Sequence, residues 1–535
     1  MSRYSRSTFR IWLAPLSLLL GVGLTIFVLT FLLDAHDQAD PVHVVSLLFH
    51  PNPDSAANTL ANAGEIVAAV LAIAITVVAI IVELASNRYT HRVTELFVSE
   101  RINFFVMGLF VVTALQGMWV SITFDYSPEK GGFVPYVGIG LTMLLLTVCL
   151  VILLPYFNFV FAYLNPIQIV NRIYQHTLIS IKTNGNKANV AERQREAVRG
   201  IEQLADVALN AMEHKDKGVS MASVDALQKL VIDYQEIRNS MPNEWFTIGE
   251  SLARNSDFVS MAKEVLDEVA RRQIWFEMKV LRQYQTIYSE SLNRMRDINY
   301  LISINTRMLA LEAIRQEHDE LLRLAIKFFN TYLRATIAQR DVRTAYNILN
   351  QYRLLAEELL DVREGAYAVE IARYFKLYGQ LSFSAELPFI LETVAYDLCA
   401  LNEIAFERKA KVAKTLLKIF LKMDKESEGE VQEASLRGVR KAQIKLASYF
   451  LLHGDEKRAF QVYEDMANED LQRIASIRDE LIAVESPEFW EISDRGVNFD
   501  YLPPNRRAQL AIFFGWFKNL APANQTIISN IPGSM

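Results

Sequence analysis

The sequence predicts an all-α protein, with a four-helix transmembrane domain followed by a large all-helical cytoplasmic domain containing tetratricopeptide-like helical hairpins. Three observations predict it. The chain has 535 residues, 51% of them apolar, and the apolar residues gather before about residue 165. Four runs in that stretch are long enough to cross the hydrocarbon core, which takes about 20 apolar residues on a helix. Beyond it, apolar residues recur every three and four positions with hardly any Gly or Pro, which is the helical period.

The expected spans are 11–33, 66–84, 104–124 and 134–157, with apolar character continuing past Pro155 to Leu164. The first has a basic start, but its run of 23 apolar positions exceeds a signal-peptide core, so it reads as a signal-anchor. Orientation follows from the basic residues in short loops. Arg3, Arg6 and Arg10 precede the first span, whereas the loop at 34–63 has no Lys or Arg. Arg88, Arg92 and Arg101 follow the second span, Lys130 alone follows the third, and Arg172, Lys182 and Lys187 follow the fourth. Both termini are therefore expected inside, in a multi-pass protein of the cytoplasmic (inner) membrane.

The second span carries a stripe. Glu65, Ala68, Ala72, Thr76, Ala79 and Glu83 follow three- and four-residue spacings and share one narrow helix face. Ser86 and Thr90 continue it. Small residues let helices pack closely in lipid, and that is the plainer reading. The sharper one is a pore-lining face, because intramembrane carboxylates are costly and usually functional. Thr113 and Gln116 of the third span could face the same interior or make an interhelical hydrogen bond. In the outer loop, His36, His43 and His50 stand near Asp37 and Asp40, but Pro41 interrupts any helix that would align them, so no metal site is expected.

The junction after the second span carries a resemblance. Leu84-Ala85-Ser86, Tyr89-Thr90 and Arg92-Val93, the Ala-rich run from Ala56, and Arg101 before the third span resemble an uncharacterised family of predicted bacterial membrane proteins, domain of unknown function 2254. The likeness covers about residues 10–165 and is concentrated in 56–101. It implies four N-terminal spans, a cytoplasmic C-terminal region and a bacterial source, and it implies no activity. The family's later Asn-Asp-Pro segment has no counterpart here, and Met221–Ala226 stands in its place.

The cytoplasmic half divides into a juxtamembrane and long-helix region, 166–315, and a hairpin domain, 316–535. Ile167, Val170, Tyr174, Leu178 and Ile181 mark an amphipathic helix ending at Asn184-Gly185. Long helices are expected at about 189–214, 219–240 and 255–312, and no strand pattern of useful length is seen. Ala447, Tyr449, Gly454, Ala459 and Tyr463 fit a tetratricopeptide-like hairpin turning at the Gly. Tyr374, Phe375, Gly379 and Ala385 echo it, and a third pair is expected from 322 to 360, turning near Arg340-Asp341. Phe489, Trp490, Phe499 and Tyr501 precede a helix at about 506–520 carrying Phe513, Phe514, Trp516 and Phe517, read as a cap on the stack.

No P-loop, dinucleotide fingerprint, HExxH or CxxC occurs. Glu317-His318-Asp319-Glu320 offers acid–base groups, but consecutive helical residues point apart, so a solvated face is expected. Cys149 and Cys399 are too few for a disulfide framework and read as buried apolar side chains. A net charge of −6 without a long basic run gives no footprint for nucleic acid. The expectation is a non-enzymatic sensor or scaffold with no cofactor, set in the lipid bilayer, with a cytoplasmic protein partner. The alternative is a homo-oligomeric ion channel lined by the second span.

Overall fold

The structure is a computed structural model. It describes residues 17, 21–31, 52–88, 97, 100–123, 125–127, 131–163, 165–182, 190–423, 432–488, 495–496 and 498–522. It divides into two compact units, Met1–Arg172 and Ile173–Met535.

Among the described residues of the first unit, three helices are long and apolar enough to cross a membrane. They are α1 (Pro53–Arg88), α2 (Arg101–Ile122) and α3 (Tyr136–Tyr163). Most of the expected first span lies outside the described residues, and its part Gly21–Phe31 is an apolar helix. The second span is longer than its apolar core suggests, because the Ala-rich run from Ala56 is a good helix former and carries the helix back to Pro53. A small hairpin, β1 (Asp125–Ser127) with β2 (Gly131–Phe133), joins α2 to α3. It lies before residue 166, ahead of the region read as free of strands, and its segments of three residues are too short to show a period of two.

The three helices pack on one another. The buried side of α2 runs Asn103, Val106, Phe110, Thr113, Gly117 and Val120, at spacings of three and four. Ala56 and Leu60 of α1 meet Val120 and Ile139 in one apolar cluster. Gly138 admits this approach, because a Cβ there would stand 2.8 Å from Val120 Cγ2. Pro155 lies inside α3, which continues through it to Tyr163.

Helix α4 (Pro166–Lys182) follows, and its expected stop at Asn184-Gly185 lies outside the described residues. The second unit then holds α5 (Val190–Glu213), α6 (Lys217–Arg238), α7 (Glu250–Ala253), α8 (Lys263–Arg271), α9 (Trp275–Ser291), α10 (Arg296–Arg315), α11 (Asp319–Ala338) and α12 (Val342–Glu358). It continues with α13 (Ala366–Ser384), α14 (Pro388–Glu407), α15 (Ala413–Leu421), α16 (Gln432–Leu452), α17 (Glu456–Met466), α18 (Leu471–Ala483) and α19 (Pro504–Gly515). The expected helix over 255–312 is three helices. Gln273 and Asn293 break it with positive φ of 58° and 60°, a conformation that a search for Gly and Pro does not find.

The larger helices alternate between two layers. One layer runs α5, α9, α11, α13 and α15, the other α6, α10, α12, α14, α16 and α19, and each helix packs on its successor in the layer. One turn recurs between layers. After α5, α11 and α16 a residue of positive φ (Lys215, Arg340, Gly454) precedes an Asp. The Asp N–H bonds back five residues, and its carboxylate accepts from the third N–H onward: Asp216 from Val219, Asp341 from Thr344, Asp455 from Arg458. One short turn thus closes the first helix and caps the second. Gly454 takes this conformation without strain. The echo at Gly379 is different. Gly379 lies inside α13, where a Cβ would meet Met423 and Leu391 at 3.0 and 3.1 Å, and the chain turns at Glu386. Its role is close helix approach.

Candidate functional site

The stripe of the second span faces away from the other two helices. Glu65, Ala68, Ala72, Thr76, Ala79 and Glu83 are all exposed in the described structure. The packed face of α1 is nearly opposite and runs Ala56, Leu60, Ala63, Val67, Ala74, Val78, Val82 and Ala85. The Thr76 hydroxyl donates to the Ala72 carbonyl at 2.8 Å, so it needs no outside partner. In the motif after the span, Leu84 is exposed and Ala85 and Ser86 are buried, while Tyr89 and Arg92 lie outside the described residues. So do His36, His43 and His50. Thr113 does make an interhelical contact, with Cys149 Sγ at 3.3 Å, and Gln116 is half-buried.

At one end of the same unit, Arg172 lies over the Tyr163 ring, 3.4 Å from its centroid, and donates to the Tyr163 carbonyl at 3.1 Å. Phe97 meets Tyr163 edge-on at 5.4 Å. An aromatic ring with a cation above it is the usual chemistry where a span leaves the hydrocarbon.

Three clusters of ionisable groups in the second unit stand out among the described residues. The first surrounds Lys279 of α9, which is fully buried. Its Nζ donates to Glu202 Oε1 and Asn255 Oδ1, each at 2.7 Å, and to Asp257. Gln283 donates to the same Asp257 oxygen at 2.6 Å. The second is around His318, which the sequence placed on a solvated face. His318 instead turns inward in the α10–α11 turn, with Nδ1 3.0 Å from Gln235 Oε1. Gln235 donates to Glu277, whose other neighbour is Arg238. Burial, then the Arg238 charge, lower the His318 pKa to about 4, and burial raises that of Glu277. The imidazole is therefore neutral at physiological pH.

The third is a seam along α14. Glu392, Tyr396, Cys399 and Glu403 recur at helical spacing along α14. The segment 495–506 is clamped to α14 by three contacts. Arg495 makes a bidentate pair with Asp397 at 2.6 and 3.2 Å. Asp500 accepts from the Tyr396 hydroxyl at 2.5 Å and from Lys441 at 2.7 Å. Arg506 makes a bidentate pair with Glu403 at 2.6 and 3.3 Å. Bidentate Arg–carboxylate pairs fix geometry as well as adding energy. Glu392 sits against Gly438, where a Cβ would meet its carboxyl carbon at 2.7 Å. Burial first, then the Asp500 charge, raise the Glu392 pKa to about 7. Burial likewise raises the Cys399 thiol well above its ordinary range.

The hairpin signature lies beside this seam. Ala447 and Ala459 are fully buried between α16 and α17, and Tyr449 donates to Glu407 at 2.8 Å. Tyr449, Phe406, His453 and Arg458 line a cavity of about 430 Å3. Tyr463 meets Trp516 and Phe517 of the C-terminal segment edge-on, and α19 packs its Phe513 and Phe514 inward against the stack. Phe489 and Trp490 lie outside the described residues.

Among the described residues, no group of three His, Cys, Asp or Glu side chains converges as metal ligands do. The three clusters hold their charges largely against one another. Only the α14 seam leaves a signal in the sequence, the recurrence of Glu392, Tyr396, Cys399 and Glu403 at helical spacing, and that signal does not give their partners.

Residues 8–237 match the family model described as Predicted membrane protein (DUF2254). The resemblance read from Leu84–Ser86 and its neighbours is confirmed, and the DUF2254 match runs beyond residue 165 through α5 and nearly to the end of α6. The family is uncharacterised. No curated protein and no solved structure matches the chain.

Proposed function

We propose that the chain is a membrane-anchored sensor or scaffold whose helical stack binds a protein partner in the cytoplasm. The single observation that carries this reading is the two-layered stack, in which each helix packs on its successor and leaves a long surface available. The hairpins are read as tetratricopeptide-like. Exposed apolar groups on the stack favour a protein partner over nucleic acid. Leu377 and Leu381 stand one turn apart on α13, and Phe460, 41% exposed, packs on Trp516. The basic residues flanking the spans favour the inner membrane with both termini cytoplasmic. No enzymatic step enters this reading.

The second reading is an oligomeric channel lined by α1, favoured by the outward stripe at Thr76 and Glu83. Site-specific photo-crosslinking in cells separates the two. A photoreactive residue at Leu381 or Phe460 is expected to give one discrete heterologous adduct, and one at Thr76 to give none between copies. Chain–chain adducts from Thr76, with conductance in liposomes, would replace the scaffold by the channel. Adducts from neither Leu381 nor Phe460 would remove the scaffold.

A further inference from the structure

We propose that the exposed face of α11, α13 and α15 docks an acidic amphipathic helix of a protein partner. This rests on the scaffold reading and gives that partner a surface and a chemistry. The three helices lie side by side in one layer, with α13 in the middle. In a chain of net charge −6, their facing stretches carry no Asp or Glu: α11 from Arg323 to its end, α13 after Glu370, and the whole of α15.

The exposed side chains form three rows. On α13, Arg373, Leu377 and Leu381 follow one another at four-residue spacing and are all exposed, so they share one helix face. Lys414, Lys418 and Lys422 repeat that spacing on α15 and just past its end, also exposed. Arg334 is exposed on α11. The rows stand level with the two leucines. Burial raises the Tyr378 pKa and the Arg334 charge opposes the rise, which sets Arg334 beside the middle of α13. On the other side Met423, next to Lys422, packs on Gly379.

The charges on this face are unmatched. Among the described residues, Arg334, Arg373, Lys414, Lys418 and Lys422 have no ion-pair partner. Pairing stops at its edge, where Lys411 meets Glu364 and Arg340 meets Glu386. Glu370, a turn before Arg373, accepts from the Tyr374 hydroxyl at 3.0 Å. A strip of two leucines between basic rows is complementary to a helix with an apolar stripe flanked by carboxylates. Leu377 and Leu381 are one turn apart, the spacing at which such a helix presents its own apolar residues. Neighbouring helix axes lie about 8–10 Å apart, so flanking carboxylates reach the rows on either side. Anionic lipid or nucleic acid would ask for the charge alone and leave the leucines unmatched. An extended peptide would need a sheet edge to pair with, which a helical face does not offer.

The test is photo-crosslinking of the full chain in cells from Leu377, with the adduct identified by mass spectrometry. It compares wild type with Lys414→Glu/Lys418→Glu and Lys414→Arg/Lys418→Arg. The expected adduct is a protein segment of net negative charge with apolar residues at three- and four-residue spacing. Its yield is expected to fall at least tenfold in the Glu pair and to hold in the Arg pair, with unfolding temperatures unchanged. A Leu377 adduct whose yield ignores the charge reversal, or adducts from Phe460 alone, would overturn this inference and leave the scaffold reading in place. A phospholipid or nucleic-acid adduct from Leu377 would overturn it in favour of that ligand. Adducts from none of Leu377, Leu381 and Phe460 would remove the inference and the scaffold together.

Discussion

Lys279 gives the sharpest test of how the stack is held together. Its ammonium is fully buried, and its carboxylate partners differ in setting, Asp257 at 11% exposure and Glu202 at 35%. Lys279→Met keeps the volume and removes the charge. It leaves Asp257 deep in the protein with only Gln283 as a donor among these neighbours, while Glu202 keeps Asn255 and partial contact with water. Removing one member of a buried pair costs about 3–5 kcal/mol, and the access of Glu202 to water puts this case near about 3 kcal/mol. For a unit of this size, 1 kcal/mol corresponds to about 1–2 °C, so the unfolding temperature should fall by about 4 °C. The assay is thermal unfolding of the full chain in detergent, followed by intrinsic fluorescence. Trp245 and Trp275, 5.0 Å apart in the core of this unit, report its unfolding. Asp257→Asn should then recover part of the loss, so that the double variant is more stable than the sum of the single effects allows. A fall under 1 °C, or strict additivity, would refute the claim that the ion pair organises this part of the stack.

Two further outcomes follow from other contacts. Glu392 is held neutral in the fold up to about pH 7 against an ordinary value of 4.5, so the folded state binds the proton more tightly. Its contribution to stability is full below about pH 4.5, declines as pH rises, and is gone above about 7. The groups that face it are Asp500, Lys441 and Glu480. Wild type should lose about 2 kcal/mol relative to Glu392→Gln between pH 5 and 8, and parallel melting curves for the two would count against it. Gly200 of α5 lies where a Cβ would overlap Thr177 of α4, 1.8 Å from Oγ1 and 2.8 Å from Cβ. Gly200→Ala should cost about 1–3 kcal/mol in urea unfolding, with part recovered by Thr177→Ala. No loss in the single variant would show that α4 is not seated there.

The apolar spans, the helical stack and the turns at Arg340 and Gly454 were legible because each has a local cause. A run of 20 apolar residues must be sequestered wherever it lies, and an Asp after a tight turn caps the next helix through its own backbone. The breaks at Gln273 and Asn293 were not legible, because tertiary packing holds ordinary residues at positive φ there. The charged clusters were hidden for a different reason. Lys279 meets Glu202 and Asp257, respectively 77 and 22 residues away, and Arg495 meets Asp397 at a separation of 98. No periodicity encodes such pairs. His318 was placed on a solvated face because consecutive helical residues diverge. It lies instead in the turn ahead of α11, where Glu317 has a positive φ and aims it inward.

The second-span stripe also changes meaning once its geometry is known. Glu65 and Glu83 are eighteen residues apart, which is about 27 Å on a helix at 1.5 Å per residue. The hydrocarbon core is about 30 Å thick, so a span centred between them holds both carboxylates near its two boundaries, where hydration is cheap. Thr76, near the middle, has already satisfied its hydroxyl on the Ala72 carbonyl. The stripe therefore carries no unpaired polar group at the depth where one would demand water, and a pore is not needed to explain it. Glu83→Gln and Thr76→Val should leave detergent-corrected mass and unfolding temperature unchanged within about 1 °C, because exposed substitutions away from packed groups are nearly neutral. A change of assembly size in Thr76→Val would mean that another helix reads this face, and the small residues from Ala68 to Ala79 would then be the surface it packs on.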